Sequence, residues 1–280
     1  MSIENIPEIY INKEELVSDL FVYDFKMTED VVRTKVNLSM NMFSFLQEGK
    51  KQVHFADTSV MVNNEQSLLI KKGNLLWTEL LDKDNIYYCK LFFFSEGKLK
   101  RFLEKNVEKP KNSSAETPYF TLSNDDYISG FLSSLSSIHR IAPIFKERAL
   151  NLKFEEILFY LLSKYGRRFE EYLYSLIAGE KSSFQQIVES NVFSNLNLEE
   201  IAFLCNMSLS SFKRNFTKEF GESPGKWIKD QRLQRAKQIL AEGEFKASDI
   251  YLDFGYSNLS NFSAAFKNKF GVNPTELGHK

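Results

Sequence analysis

Two stretches near the end of this chain repeat each other, and that repeat constrains the fold more than any other feature. Ser208-Leu209-Ser210-Ser211-Phe212-Lys213-Arg214-Asn215-Phe216-Thr217-Lys218-Glu219-Phe220-Gly221 is one copy. Asn261-Phe262-Ser263-Ala264-Ala265-Phe266-Lys267-Asn268-Lys269-Phe270-Gly271 closes the other. Phe212, Phe216, Phe220, Gly221 and Pro224 recur as Phe262, Phe266, Phe270, Gly271 and Pro274, each 50 residues on. At about 100° per helical residue, three phenylalanines at this spacing fall within an arc of roughly 80°. Each copy therefore reads as a helix with a buried aromatic stripe and a polar outer face.

A shorter helix precedes each copy, which makes a tandem pair of helix-turn-helix units. In the first, Asn197 to Asn206 fits the leading helix, with Asn197 as its cap and Leu198, Ile201, Ala202 and Cys205 inward. Asn206-Met207-Ser208 is the turn, where Asn tolerates a left-handed backbone and Ser208 caps the second helix. In the second, Ser248 to Phe254 is the leading helix, Gly255-Tyr256-Ser257 the turn and Leu259 to Phe270 the second helix. Ser208 is matched to Ser257 at an offset of 49, before the offset becomes 50.

The outer faces point to DNA. The first presents Ser210, Arg214, Thr217 and Lys218, flanked by Ser211 and Lys213; the second presents Ser260, Ala264, Lys267 and Asn268, flanked by Asn261 and Ser263. Arg can bond two edges of guanine, Ser and Asn reach other base edges, and Lys neutralises phosphate. Ala264 stands where the first copy has Arg214, so the second unit lacks a strong base reader. It is expected to grip backbone through Lys267 and Lys269, with Ser260, Asn261 and Ser263 as weak readers. Pro224 to Leu240 reads as one connecting helix that holds the units roughly 25 to 35 Å apart, close to one DNA turn.

Charge must act by placement, since the whole chain carries a net charge of −1. From Ser182 onward there are 12 basic and 11 acidic residues. Two cysteines, Cys89 and Cys205, build no disulfide framework and suit a reducing compartment; Cys205 reads as core. No apolar run reaches membrane-spanning length and the N-terminus lacks a basic leader, so the expected location is the cytoplasm, with no membrane partner.

Upstream of the repeat the pattern is one of strands and then helices. Residues 1 to about 35 show little periodicity, whereas Val36 to Met42 alternates as a half-buried strand does. Gln47-Glu48-Gly49-Lys50 reads as a turn. Gln52 to Phe55, Ser59 to Val62, Ser67 to Ile70 and Leu75 to Leu81 are strand candidates, and Asn85 to Phe94 a strand buried on both faces. So many short strands imply a barrel or sandwich. Lys105 to Pro118 reads as a loop. Helices are expected over Asp125 to Arg140, capped by Ser123, Asn124 or Asp125, then over Phe145 to Tyr165 after a break at Pro143, and over Arg167 to Ile177. The segment 180–183 is the expected boundary before the repeat.

Enzyme chemistry finds little footing. The three histidines, His54, His139 and His279, are scattered, and the strand region holds His54 alone, short of the cluster a metal needs. There is no phosphate loop, nucleophile elbow or Cys-x-x-Cys. No catalytic residue, metal or cofactor is expected. An enzyme on a strand barrel with a DNA-binding tail is the weakest of the readings considered.

These residues resemble a known family. Ile201-Ala202, Ser208, Phe212, Arg214, Phe216, Gly221, Ser223-Pro224, Trp227, Arg232, Ala236 and Leu240 look like its first half. Ile250, Gly255-Tyr256-Ser257, Phe262, Phe266-Lys267, Phe270-Gly271 and Pro274 look like its signature. The family is the AraC/XylS transcription regulators, and the resemblance covers about residues 183–277. The strand region, with Gln47-Glu48-Gly49 and Lys71-Lys72-Gly73-Asn74, is similar to the cupin-like sensor barrel of many members. Departures are Asn206 for the usual turn Gly, Tyr251 after Ile250, and Ala264.

The resemblance implies an α+β multidomain chain: a cupin-like barrel for signal reception over residues 1–120, a helical dimerisation and linker region over 121–181, and the tandem helix-turn-helix domain over 182–280. It implies activation of promoters through contact with RNA polymerase. Double-stranded DNA is the expected partner, with a homodimer formed through helices of residues 125–177. The effector stays open between a small molecule and a regulatory protein, since no Arg/Lys cluster among the strands marks an anionic ligand.

Overall fold

The computed structural model describes residues 3–11, 18–83, 85–108, 117–178 and 182–277. The chain divides into two compact units, Met1–Lys181 and Ser182–Lys280.

Among the described residues, the first unit is built on ten strands: β1 (Ile3–Ile6), β2 (Leu20–Met27), β3 (Val31–Leu38), β4 (Asn41–Glu48), β5 (Lys50–His54), β6 (Ser59–Asn63), β7 (Gln66–Ile70), β8 (Gly73–Leu80), β9 (Tyr87–Phe94) and β10 (Tyr119–Ser123). They form two five-stranded sheets, ordered β1-β3-β8-β5-β6 and β10-β7-β4-β9-β2. The sheets share one core, made by residues such as Val36, Met42, Leu46, Val53, Trp77, Cys89 and Phe93. The outer face of the second sheet is covered by four helices: α1 (Glu96–Asn106), α2 (Asp126–Ser136), α3 (Pro143–Tyr165) and α4 (Arg167–Ile177). Phe43, Phe45, Phe92 and Phe94 meet Phe102, Phe131, Phe154, Ile157 and Tyr172 there.

This layering explains the apolar run in β9. Cys89, Leu91 and Phe93 point to the other sheet, and Phe92 and Phe94 to the helices, so alternate residues are buried on opposite faces. The alternating run Val36 to Met42 is not one strand: it breaks at Ser39-Met40, between β3 and β4. The weakly patterned first 35 residues contain β1, β2 and the start of β3. β1 and β2 sit at sheet edges, and most of their side chains stay partly exposed, which removes the contrast that marks a strand. Helix α1 and strand β10 were also not legible. α1 follows β9 directly and buries only Leu99, Phe102 and Leu103. Pro143 does not end a helix but begins one, as the first residue of α3, where its missing N–H costs nothing. Of the three cap candidates Asp125 is the one used, accepting from Ile128 N at 2.9 Å. The loop read over Lys105 to Pro118 lies largely outside the described residues, as do His279 and half of the 180–183 boundary.

Two lysines are buried in the sheets. Lys51 is fully buried, 2.8 Å from Glu79 Oε1 and 3.9 Å from the Trp77 ring centroid. Lys90 pairs with Asp24. Their charges are thus already compensated within the fold.

The second unit is helical: α5 (Phe184–Asn191), α6 (Leu198–Leu204), α7 (Leu209–Phe220), α8 (Pro224–Glu242), α9 (Ala247–Ile250) and α10 (Leu259–Phe270). α5 lies upstream of the repeat and has no counterpart in the two helix-turn-helix units. Its Phe184 ring lies over Phe212, Phe216 and Phe220, which lids the aromatic stripe of α7. The signal was present as Ser183-Phe184-Gln185-Gln186, where Ser183 Oγ accepts from Gln186 N at 3.1 Å.

Candidate nucleic-acid interface

The first helix-turn-helix is fixed by short-range hydrogen bonds. Asn197 Oδ1 accepts from Glu199 N and Glu200 N, both at 3.0 Å, and Glu200 Oε2 accepts from Asn197 N at 2.7 Å. This reciprocal cap lets a helix of only seven residues start cleanly. α6 ends at Leu204, so Cys205 lies just outside it and is half-buried rather than core. Burial still pushes its thiol up to about 12, which keeps it protonated and unreactive.

The turns of the two units superpose in their bonding. Asn206 and Gly255 both have left-handed backbones, with φ of 58° and 82°. Asn206 N donates to Phe203 O and Gly255 N to Leu252 O, each at 2.9 Å; Met207 N donates to Ala202 O and Tyr256 N to Tyr251 O. These pairs are all 49 apart. The caps are 50 apart: Ser208 Oγ accepts from Ser211 N at 3.2 Å, and Asn258 Oδ1 from Asn261 N at 2.8 Å. Ser257 is therefore the one inserted residue, not the cap, which corrects its match to Ser208. The leading helix of the second unit is also shorter than read. α9 spans Ala247–Ile250, and the chain continues to Gly255 in hydrogen-bonded turns with bonds stretched to 3.3 Å.

The buried sides of the second helices match. Phe212, Phe216, Phe262 and Phe266 are all fully buried, while Phe220 and Phe270 are half-buried at the ends. The outer sides differ. On α7, Ser210, Lys213, Arg214, Thr217 and Lys218 are exposed. Thr217 Oγ1 donates to Lys213 O at 3.0 Å, and Ser211, half-buried, accepts from Ser208 Oγ at 3.0 Å. Arg214 holds no hydrogen bond or ion pair with another described residue, so its guanidinium fork is open for a ligand.

On α10, Ser260, Asn261, Ala264, Lys267 and Asn268 are exposed and Ser263 is half-buried. Lys269 turns away from that face. Its Nζ donates to Asp230 O at 3.0 Å and lies 3.2 Å from Asp230 Oδ1, on α8. The second head thus presents one free lysine, Lys267, where the first presents three cations.

α8 joins the heads as one unbroken helix of 19 residues, about 28 Å long. Near its start, the Trp227 ring centroid lies 5.6 Å from Phe216 and 4.7 Å from Phe220. Further on, Leu233, Ala236 and Leu240 join Ile250, Phe254, Phe262 and Phe266 in the core of the second head. Among the described residues, no group of three or more His, Cys, Asp or Glu could hold a metal ion, and no helix is long and apolar enough to cross a membrane.

Comparison with known proteins places both halves. Residues 41–172 match the ExsA N-terminal regulatory domain, and residues 201–280 match a helix-turn-helix domain. Thermoregulatory protein LcrF of Yersinia pestis is 27% identical over 179 residues, covering 64% of this chain and 66% of LcrF. Virulence regulon transcriptional activator VirF of Yersinia enterocolitica is 31% identical over 126 residues, 45% of this chain and 46% of VirF. HTH-type transcriptional regulator ExsA of Pseudomonas aeruginosa is 22% identical over 245 residues, 86% of each chain. The matched stretches thus span just under two thirds of LcrF and about half of VirF.

Proposed function

The chain belongs to the AraC/XylS family of transcription regulators, and from that premise we propose that it is a sequence-specific DNA-binding activator with two unequal reading heads. The observation that carries this is the contrast between α7 and α10. Their buried faces are alike, yet one presents Lys213, Arg214 and Lys218 and the other Lys267, since its second exposed lysine, Lys269, is tied back to Asp230. α7 enters a major groove and reads bases through Arg214, with Ser210, Ser211 and Thr217 beside it and Lys213 and Lys218 on phosphates. α10 enters the next groove and holds backbone through Lys267, with Ser260, Asn261 and Ser263 as weak readers. Lys269 contributes to that grip only through its tie to α8.

Activation rests on VirF, which is named a transcriptional activator, and on the family's contact with RNA polymerase. The protein acts where the DNA is, in the cytoplasm, and two free thiols suit that compartment. Control enters through the first unit, from a small molecule or a protein partner, and identifying what co-purifies with the chain separates the two. Dimerisation runs through α3. Phe145, Leu152 and Phe159 lie seven residues apart on it and are 56%, 69% and 47% exposed, an apolar stripe with the spacing of a helix–helix seam.

Hydroxyl-radical footprinting of the full chain on a duplex selected from random sequence tests the two-head reading. Two protected windows are expected on one face of the duplex, about one turn apart. A single window, or windows on opposite faces, would overturn it.

A further inference from the structure

The two heads meet along a seam that the repeat does not predict. Arg232, in the middle of α8, donates from Nε to Val192 O at 2.7 Å and from Nη2 to Ser194 O at 2.8 Å. Both carbonyls belong to the loop between α5 and α6, in the first head. The remaining nitrogen lies against the second head, where a Cβ on Gly255 would come within 2.6 Å of Nη1. Gly255 takes a left-handed φ of 82°, which favours glycine, and its bare Cα leaves room for Nη1 at this distance. From the same first-head loop, Phe193 sets its ring edge-on to Phe254, with centroids 6.5 Å apart. A cleft of about 510 Å³ runs beside this contact, lined by Leu196, Ile228, Lys229 and Tyr256 among others.

A connecting helix alone fixes the distance between two heads, and their mutual rotation is left to the side chains that cross from it to each head. We propose that Arg232 is the positioning residue for two-head reading, clamping the first-head loop and the second-head turn at one angle. Its fork is suited to this. Guanidinium offers five N–H donors in a fixed plane, so it can hold two carbonyls and still press a flat edge on a glycine. Lysine carries its three donors on one freely rotating nitrogen, so it lacks the rigid fork that sets an angle. The tie from Lys269 to Asp230 lies on the same helix and fixes α10 to it. The proposal rests on the two-head reading above and deepens it.

Two measurements on the full chain test it, the first without DNA. Nitroxide labels at Lys218→Cys and Asn268→Cys, in a Cys205→Ala background, report the separation of the recognition helices by pulsed electron resonance. The parent is expected to give one narrow distance distribution, and Arg232→Met and Arg232→Lys to at least double its width while helix content is kept. Should Arg232→Met fail to fold, Arg232→Lys, which retains stem and charge, carries the reading. An unchanged width in the variants would overturn the clamp. The second measurement compares affinity for a selected duplex and for the same duplex with its weaker half scrambled. The variants should lose about tenfold of the parent's two-head gain and change less than about twofold on the scrambled duplex. An equal loss on both duplexes would overturn the positioning role. A parent that binds no DNA refutes the function proposed above, while the distance result still decides the clamp.

Discussion

Exchanging the residues at positions 214 and 264 tests the unequal heads directly. Arg214 is exposed and bonded to no other described residue, so Arg214→Ala removes no hydrogen bond or ion pair with one. Stability should move by no more than about 0.5 kcal/mol, as for a plain surface change. On DNA, a bidentate Arg–guanine pair is worth about 1–3 kcal/mol, or roughly 5- to 150-fold in affinity. That loss should fall on one base pair. The assay is fluorescence anisotropy with the full chain, at fixed salt, on a panel of single-base variants of a selected duplex. The parent should discriminate strongly at one position, and Arg214→Ala should bind all four bases there alike. Ala264 is exposed at the equivalent point of α10, so Ala264→Arg should create a new preference about one turn away. A loss from Arg214→Ala that is equal on every duplex would place that side chain on phosphate and rule out base reading by it.

Lys267→Ala should weaken all duplexes alike and reduce the slope of log affinity against log salt by about 0.9. If α3 pairs two copies as proposed, the parent should sediment as a dimer at micromolar concentration and Leu152→Glu as a monomer, with little change in melting, because Leu152 is 69% exposed. Lys51→Met leaves Glu79 buried without its partner and should cost about 3–5 kcal/mol in urea unfolding, much of it recovered by adding Glu79→Leu. Burial opposes the charge on Asp125, but hydrogen bonds from Lys164, Tyr160 and Ile128 N outweigh it and hold the carboxyl at about 2. A depressed folded pKa stabilises above the ordinary value of 3.8 and loses that contribution as pH falls toward 2. Acid unfolding of the parent should show this loss, and Asp125→Asn should flatten that part of the curve.

The reach of the sequence followed the strength of its periodicities. α7 and α10 were legible to the residue because a buried aromatic every fourth position leaves one phase for the helix, and Ser208 supplies the start. β9 was legible because both its faces are covered. Edge strands β1 and β2 were not, since half-exposed side chains carry no contrast. The cap at Asn258 escaped because aligning Ser257 with Ser208 is equally good on residue type, and only the backbone bonds show where the extra residue sits. At the interface, exposure of Arg214 and Lys267 followed from helical phase alone. The diversion of Lys269 to Asp230, and the hold of Arg232 on two heads, depend on contacts between residues about 40 apart, which no local pattern records.

Selection of bound duplexes from random sequence by the full chain shows whether the two heads read DNA unequally. One strongly specified half-site, with a guanine at its core, is expected, with a weakly specified segment about one helical turn away. Two half-sites of equal information, or enrichment of no sequence at all, would contradict it.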